Sequence, residues 1–197
     1  MNPFVASWDQ NSESSQGTWV LGSQGPTYGA LPTLPFIPYS MIFNFIMHNQ
    51  SILNCNVNGT NSMTYLQIST NSTTTTISKR NGEVYGSIDW SGLHATVYAH
   101  GSIKKQRASQ WARLSSDARR RLVTISGREY AWIPRGNAIC VSLHSDDASK
   151  SGEIARITKN HSTATVTLQL TIEAFNAGFF EPSVLATVLF LSGRNID

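Results

Sequence analysis

From residue 41 onward, apolar and polar positions alternate with a period of two, the spacing of a strand with distinct faces. The cleanest run is 164–173. Ala164, Val166, Leu168, Leu170 and Ile172 fall on one side, and Thr165, Thr167, Gln169, Thr171 and Glu173 on the other. In 41–47, Phe43, Phe45 and Met47 alternate with Ile42, Asn44 and Ile46, so that strand is expected to be buried on both faces. A β-branched run at 73–79, the turn pair Asn81 and Gly82, and a return at 84–90 predict a hairpin whose two turn residues take positive φ. On the return strand Val84, Gly86, Ile88 and Trp90 share one face. Ser91 and Gly92 then turn the chain into 94–100. Strands at 122–126 and 130–133 flank Gly127 and Arg128 as a second hairpin. Further strands are expected at 138–143 and 153–158, separated by a polar loop around Asp146 and Asp147.

The alternation stops near the C-terminus. Val184, Leu185, Val188, Leu189, Phe190 and Leu191 cover every face of a segment that carries no charge. Pro182 suits the first helical position and Gly193 the cap after the last turn, so a helix is predicted at 182–192. A buried strand is the competing reading, because Val and Thr are frequent there. A helix apolar all round must sit inside something. Eleven residues are too few to cross a bilayer, which leaves a protein interior.

At the other end, residues 1–38 are rich in Ser, Gln, Gly and Pro and read as a flexible tail. Trp8, Trp19 and Tyr28 are its candidates for docking. Pro32, Pro35 and Pro38 make its end an extended strap. The organisation expected is therefore a 1–38 tail and a single mainly β domain at 39–197: an antiparallel β-barrel or strongly curved sheet wrapped around a buried apolar C-terminal helix.

Composition adds one feature to this picture. Charged residues make up 14% of the chain and the net charge is +3, against roughly 25% charged in an average soluble protein. Yet Lys104, Lys105, Arg107, Arg113, Arg119, Arg120 and Arg121 lie close together, with Asp117 the only acid among them. Residues 109–122 are compatible with a helix carrying Trp111, Leu114, Ala118 and Leu122 near one face. A long loop across a barrel end fits them equally. Basic clusters beside an aromatic can bind anionic lipid headgroups.

Other chemistry finds little support. His48, His94, His100, His144 and His161 show no metal-ligand spacing, and no close cysteine pair exists. No nucleophile elbow is present. Cys140 and His144 are close in sequence, but the thiol lies on an alternating strand. Asp146, Asp147 and Glu153 read as a solvated turn. Gly22, Gly25 and Gly29 lack the strand and helix that a phosphate cradle needs. No catalytic residue, metal site or cofactor is assigned, and no recognition helix, zinc finger or stacking motif points to nucleic acid. Cys55 and Cys140 could form one bridge, though two buried thiols is the plainer expectation. With no signal-peptide pattern and no membrane-length apolar run, an intracellular location is expected. The sequons at Asn49, Asn58, Asn71 and Asn160 would matter only in a secreted protein.

The order of several short motifs carries a resemblance. Thr73, Thr74, Thr75, Thr76, Ile77 and Ser78 come first, followed by Gly82 and Glu83, then Ile88, Asp89 and Trp90. Residues 127–132, 154–156 and 168–173 follow, and the apolar stretch 184–191 completes the series. Over about residues 41–193 the chain resembles an uncharacterised domain-of-unknown-function family common in mushroom-forming fungi. That family resembles, more remotely, the tubby, LURP-one and phospholipid-scramblase barrels. The resemblance implies an antiparallel barrel around an apolar C-terminal helix and carries over no catalytic residues, since fold does not imply function.

The leading expectation is a non-enzymatic binding module for an anionic phospholipid surface. Lys104, Lys105, Arg107, Arg119, Arg120 and Arg121 would contact phosphates, and Trp111 would anchor at the interface. A protein partner recruited through the tail or exposed strand edges is the alternative. An enzyme with a site assembled from distant residues is the third.

Overall fold

The computed structural model describes residues 40–144, 152–160 and 165–197. Expectations for the tail, for Asp146 and Asp147, for His161 and for Ala164 lie outside the described residues. Among the described residues thirteen strands form one antiparallel sheet: β1 Ser40–His48, β2 Ser51–Gly59, β3 Thr64–Thr70, β4 Thr74–Lys79, β5 Val84–Asp89, β6 Thr96–Ala99, β7 Ile103–Arg107, β8 Ala112–Leu114, β9 Arg121–Ile125, β10 Arg128–Arg135, β11 Ala138–Leu143, β12 Glu153–Asn160 and β13 Thr165–Thr171. Three helices accompany them among the described residues: α1 Ala108–Trp111, α2 Ile172–Asn176 and α3 Phe180–Leu191.

The sheet order is β7-β6-β5-β4-β3-β2-β1-β13-β12-β11-β10-β9-β8. Every neighbouring pair is consecutive in sequence except β1 and β13, which pair antiparallel and join the two halves. Only β7 and β8, linked through α1, share no ladder, so the sheet is not a closed barrel. Strand parity explains why. A ring in which every neighbour is antiparallel needs an even number of strands, and alternation from β1 in both directions leaves β7 and β8 running the same way. The chain through β7, α1 and β8 is thus one continuous strand interrupted by a single helical turn. That turn moves it from the β6 edge to the β9 edge. The two sheet margins are tied only four helical residues apart, so the sheet has to bend round on itself.

What it bends around is α3. Ten of its twelve residues are buried, from Phe180 to Phe190 with only Glu181 more accessible among them. Phe180 packs on Phe43 of β1 with ring centroids 4.2 Å apart, and Phe190 meets Trp132 of β10 at 5.4 Å. The helix therefore touches both halves of the sheet. It starts at Phe180, two residues before the sequence signal, which places Pro182 third in the helix. Proline is tolerated there because the first four N–H groups have no partner inside the helix. Gly193 follows at φ +70°, the left-handed cap expected from its position.

Several local readings are corrected. Ile46 is 46% exposed while Phe43 and Phe45 are buried, so β1 is covered on one face only. At the β4–β5 hairpin Gly82 has positive φ but Asn81 does not. The loop has three residues, with Gly82 donating to Lys79 O and the Asn81 side chain accepting from Glu83 N. Two-residue turns with both φ values positive occur instead at Asn49 and Gln50, between β1 and β2, and at Ser126 and Gly127, between β9 and β10. Residues 109–122 are not a helix. α1 is one turn, β8 pairs with β9 at once, and Ala118 at φ +55° closes the intervening loop. The strand read as 164–173 ends at Thr171, whose hydroxyl accepts from Ala174 N and caps α2.

Candidate functional site

The basic cluster is split by the fold into groups with different surroundings. Lys104, Lys105 and Arg107 stand exposed on β7, and Arg119 is exposed in the loop before β9. Arg120 is half-buried. Arg113 is exposed but paired with Glu129 at 2.9 Å.

Two expected contact residues do not belong to the surface. Arg121 is fully buried. It donates to Ala112 O at 2.8 Å and forks onto the Asp197 carboxylate at 3.1 and 2.6 Å. A guanidinium can enter a low-dielectric interior only with such partners, and here it links the β8–β9 pair to the last residue. Trp111 is 4% exposed and belongs to the core, because α1 turns it inward beneath the seam. Neither Arg121 nor Trp111 can meet a membrane as the sequence suggested.

Where β7 and β9 fail to pair, a cleft of about 350 Å³ opens. β8 is only three residues long and its ladder begins at Ala112 opposite Val123. Beyond Val123, β9 faces β7 with no strand between. Lys104, Gln106, Gln110, Trp111, Thr124 and Ser126 line the cleft. No carboxylate is among its lining residues.

A second depression, about 180 Å³, lies on the outer face of β10 and β11. Arg120, Arg135, Cys140, His144 and Glu153 line it. Glu153 is held by Arg156 at 2.5 and 2.9 Å, and that bond raises the Arg156 pKa above its ordinary value. Cys140 sits opposite Arg156 in the β11–β12 ladder. Sequence proximity had suggested Cys140 with His144, and they do share this hollow. Glu153, read as part of a solvated turn, instead opens β12 and is half-buried. Arg135 and Arg156 were missed, and the period-two register of β10 to β12 was the signal that could have gathered them. A larger hollow of about 500 Å³, lined by Tyr130, Leu143, Ile154 and Phe179, lies nearby.

A family model described as a family of unknown function (DUF6593) matches residues 50–195. The chain belongs to this family. No curated protein sequence matches the chain. Among solved structures, the X-ray structure of a protein from Arabidopsis thaliana aligns over 77% of this chain and 92% of that one. Its sequence identity is 9% and its TM-score 0.38, too low to carry an argument. Among the described residues of this DUF6593 member, no three His, Cys, Asp or Glu side chains gather as a metal site. No described helix is long and apolar enough to cross a membrane.

Both thiols of the DUF6593 domain are unbridged and buried. Burial pushes the Cys55 thiol up to about 12, and its Sγ donates to Ile52 O at 3.2 Å. Cys140 is pushed up to about 11, by burial first and then by the Glu153 carboxylate beside it. A thiol so raised stays protonated at neutral pH and is a poor nucleophile. Burial likewise pushes Tyr85 up to about 12, against the lowering effect of its bond to Ser102.

Raised pKa values mean that the folded chain keeps protons the unfolded chain releases. The sign is fixed: stability is intact below about pH 9 and falls as pH climbs toward 11 and 12. Each group adds a slope of at most about 1.4 kcal/mol per pH unit. Denaturant midpoints are expected to be level from neutral pH to about 9 and to drop beyond it, with a shallower drop in Cys55→Ala. A flat alkaline limb would show that the thiols titrate freely.

Proposed function

We propose that this domain is a non-enzymatic binding module that docks on an anionic lipid surface, inside the cell and peripheral to the membrane. One observation carries the reading. Lys104, Lys105, Arg107, Arg119 and Arg120 have no carboxylate within salt-bridge distance among the described residues, whereas Arg113 and Arg121 of the same cluster are paired. Unpaired exposed cations add little to the fold, and near an anionic membrane each contributes about 1 kcal/mol of attraction. The contact set is therefore the exposed Lys104, Lys105, Arg107 and Arg119 together with the half-buried Arg120, without Arg121 and Trp111. The protonated state of Cys140 supports the non-enzymatic part, since it withholds the nucleophile that chemistry at the outer depression would use. The enclosed α3 supports an architecture of the tubby, LURP-one and scramblase kind, with the seam between β7 and β8 as a departure from closure.

Vesicle co-sedimentation tests the reading. Neutral vesicles are expected to leave the protein in solution. Vesicles containing phosphoinositide should pull it down at low salt and less so at physiological salt. The triple charge reversal Lys105→Glu, Arg107→Glu and Arg119→Glu should weaken binding by more than about 3 kcal/mol. Binding indifferent to the reversal overturns the proposal and gives precedence to a protein partner at the open sheet edges.

A further inference from the structure

The seam cleft has a chemistry of its own, distinct from the exposed cations around it. Its lining offers a primary ammonium from Lys104, two side-chain amides from Gln106 and Gln110, and hydroxyls from Thr124 and Ser126. All of these can donate hydrogen bonds. The cleft is at the small end of the ~300–1,000 Å³ range of ligand pockets.

A second observation points the same way. The indole Nε1 of Trp111 is buried and has no hydrogen-bond partner, although the residue is 4% exposed and walls this cleft. Indole nitrogen is a donor only, and a buried donor left unmade is costly, so such groups call for an explanation. Trp90 Nε1 by contrast donates to Thr75 Oγ1 at 2.8 Å; Trp132 Nε1 is also buried without a partner, but in the core and away from this cleft. Trp111 thus stands behind a donor-lined cleft with a donor of its own unused.

We infer that the seam cleft is a binding site for a single phosphoryl group, with Lys104 supplying charge and Trp111 Nε1 a donor from the floor. This rests on the anionic-surface reading and sharpens it, from a diffuse basic face to one seated headgroup phosphate. The missing acceptor is an oxygen, and an oxyanion is favoured over a neutral oxygen because the lining holds a cation and no acid. Nε1 is itself closed off from solvent, so seating the group against it requires a lining side chain to shift. The exposed, long side chain of Gln110 can do so. The cleft owes its existence to α1, which carries the chain from one sheet margin to the other and leaves β9 without a neighbour on its β8 side past Val123.

The test uses the full 197-residue chain and three probes: soluble inositol trisphosphate, inorganic phosphate, and phosphatidylserine vesicles. Calorimetric titration is expected to show one saturable site for inositol trisphosphate. Trp111→Phe keeps the packing and removes the donor, and should weaken that site about ten- to a hundredfold, the size of one hydrogen bond to a charged group. Lys104→Gln, on an exposed position that leaves the core intact, should weaken it similarly and guards against misfolding of the tryptophan variant. Sedimentation with phosphatidylserine vesicles should change less than twofold in Trp111→Phe, because the diffuse cations remain. Competition by inorganic phosphate identifies a general phosphoryl site, and indifference to it identifies a lipid headgroup; either supports the cleft. Vesicle binding without any saturable soluble site overturns the cleft and leaves the surface reading standing. Absence of both overturns both.

Discussion

A chain that begins at residue 50, where the family match starts, is expected not to fold, while one that begins at residue 39 melts like the full chain. The reason is the place of β1. It pairs with β2 on one side and β13 on the other, and its ladder with β13 joins the two halves of the described sheet. Phe43 and Phe45 project from it into the core at 1% exposure. Phe43 meets Phe180 at 4.2 Å, Tyr65 at 5.3 Å and Phe175 at 5.8 Å. Losing one such buried ring costs about 3–5 kcal/mol, and two would approach the whole stability of a typical domain, about 5–15 kcal/mol. Two new edges would also be exposed in the middle of the sheet, an invitation to aggregation. Circular dichroism and gel filtration of the two chains decide the matter. A cooperative melt from the chain starting at residue 50 would show that the halves hold together through α3 alone. The milder Phe43→Ala should retain the fold with a loss near the single-ring figure.

Asp197→Ala is expected to be the most damaging single change outside the apolar core, at about 3 kcal/mol. It removes the carboxylate that meets the fully buried Arg121 at 2.6 Å. Truncating one member of a buried ion pair leaves the other charge in a low-dielectric setting, which is where the cost arises. Asp197 is 43% exposed, so water entering the gap places the loss at the low end of the 3–5 kcal/mol range for such pairs. Asp197→Asn retains an oxygen for Arg121 and should fall between the two. The double variant Arg121→Met with Asp197→Ala should recover much of the loss, because an apolar side chain of similar volume needs no partner. Denaturant unfolding of the set measures it. Equal stability for Asp197→Ala and the parent would mean that the pair contributes nothing. Neighbouring Arg194 lies over the Trp90 ring, 5.0 Å from its centroid, so two basic residues tie the end of the chain to the sheet.

The basic cluster was legible as a set of residues but not as a site. Charge along the chain says nothing about which side chains turn inward, and Lys104 and Arg121 look alike in a list of cations. Arg121 opens β9, where the alternating register sends it, Val123 and Ile125 to the same buried face. That pattern was visible, but a charged residue at an inward position reads as an exception until its partner is known, and the partner is 76 positions away. Trp111 was misread for a related reason. A tryptophan beside arginines suits a membrane interface, but one turn of helix places it in the core. The outer depression gathers Arg120, Arg135, Cys140 and Glu153 from separate segments, and only strand pairing brings them together.

Local chemistry alone marked many of the strands, one hairpin turn and an apolar last segment better suited to a helix than to a buried strand; it did not mark β2, β3, β7 or β8. Period-two alternation, Gly127 at its hairpin, and eleven uncharged residues after Pro182 each act over a few positions, where sterics and solvation give one answer. Helix burial also followed, since a segment apolar on every face has no stable place in water. Tertiary structure alone decided that β1 would bridge β13, that β7 and β8 would run the same way, and that the ring would stay open between them. Those outcomes depend on which strands meet across more than a hundred residues. Pairing parity and the packing of α3 set them, and neither is written at any single position.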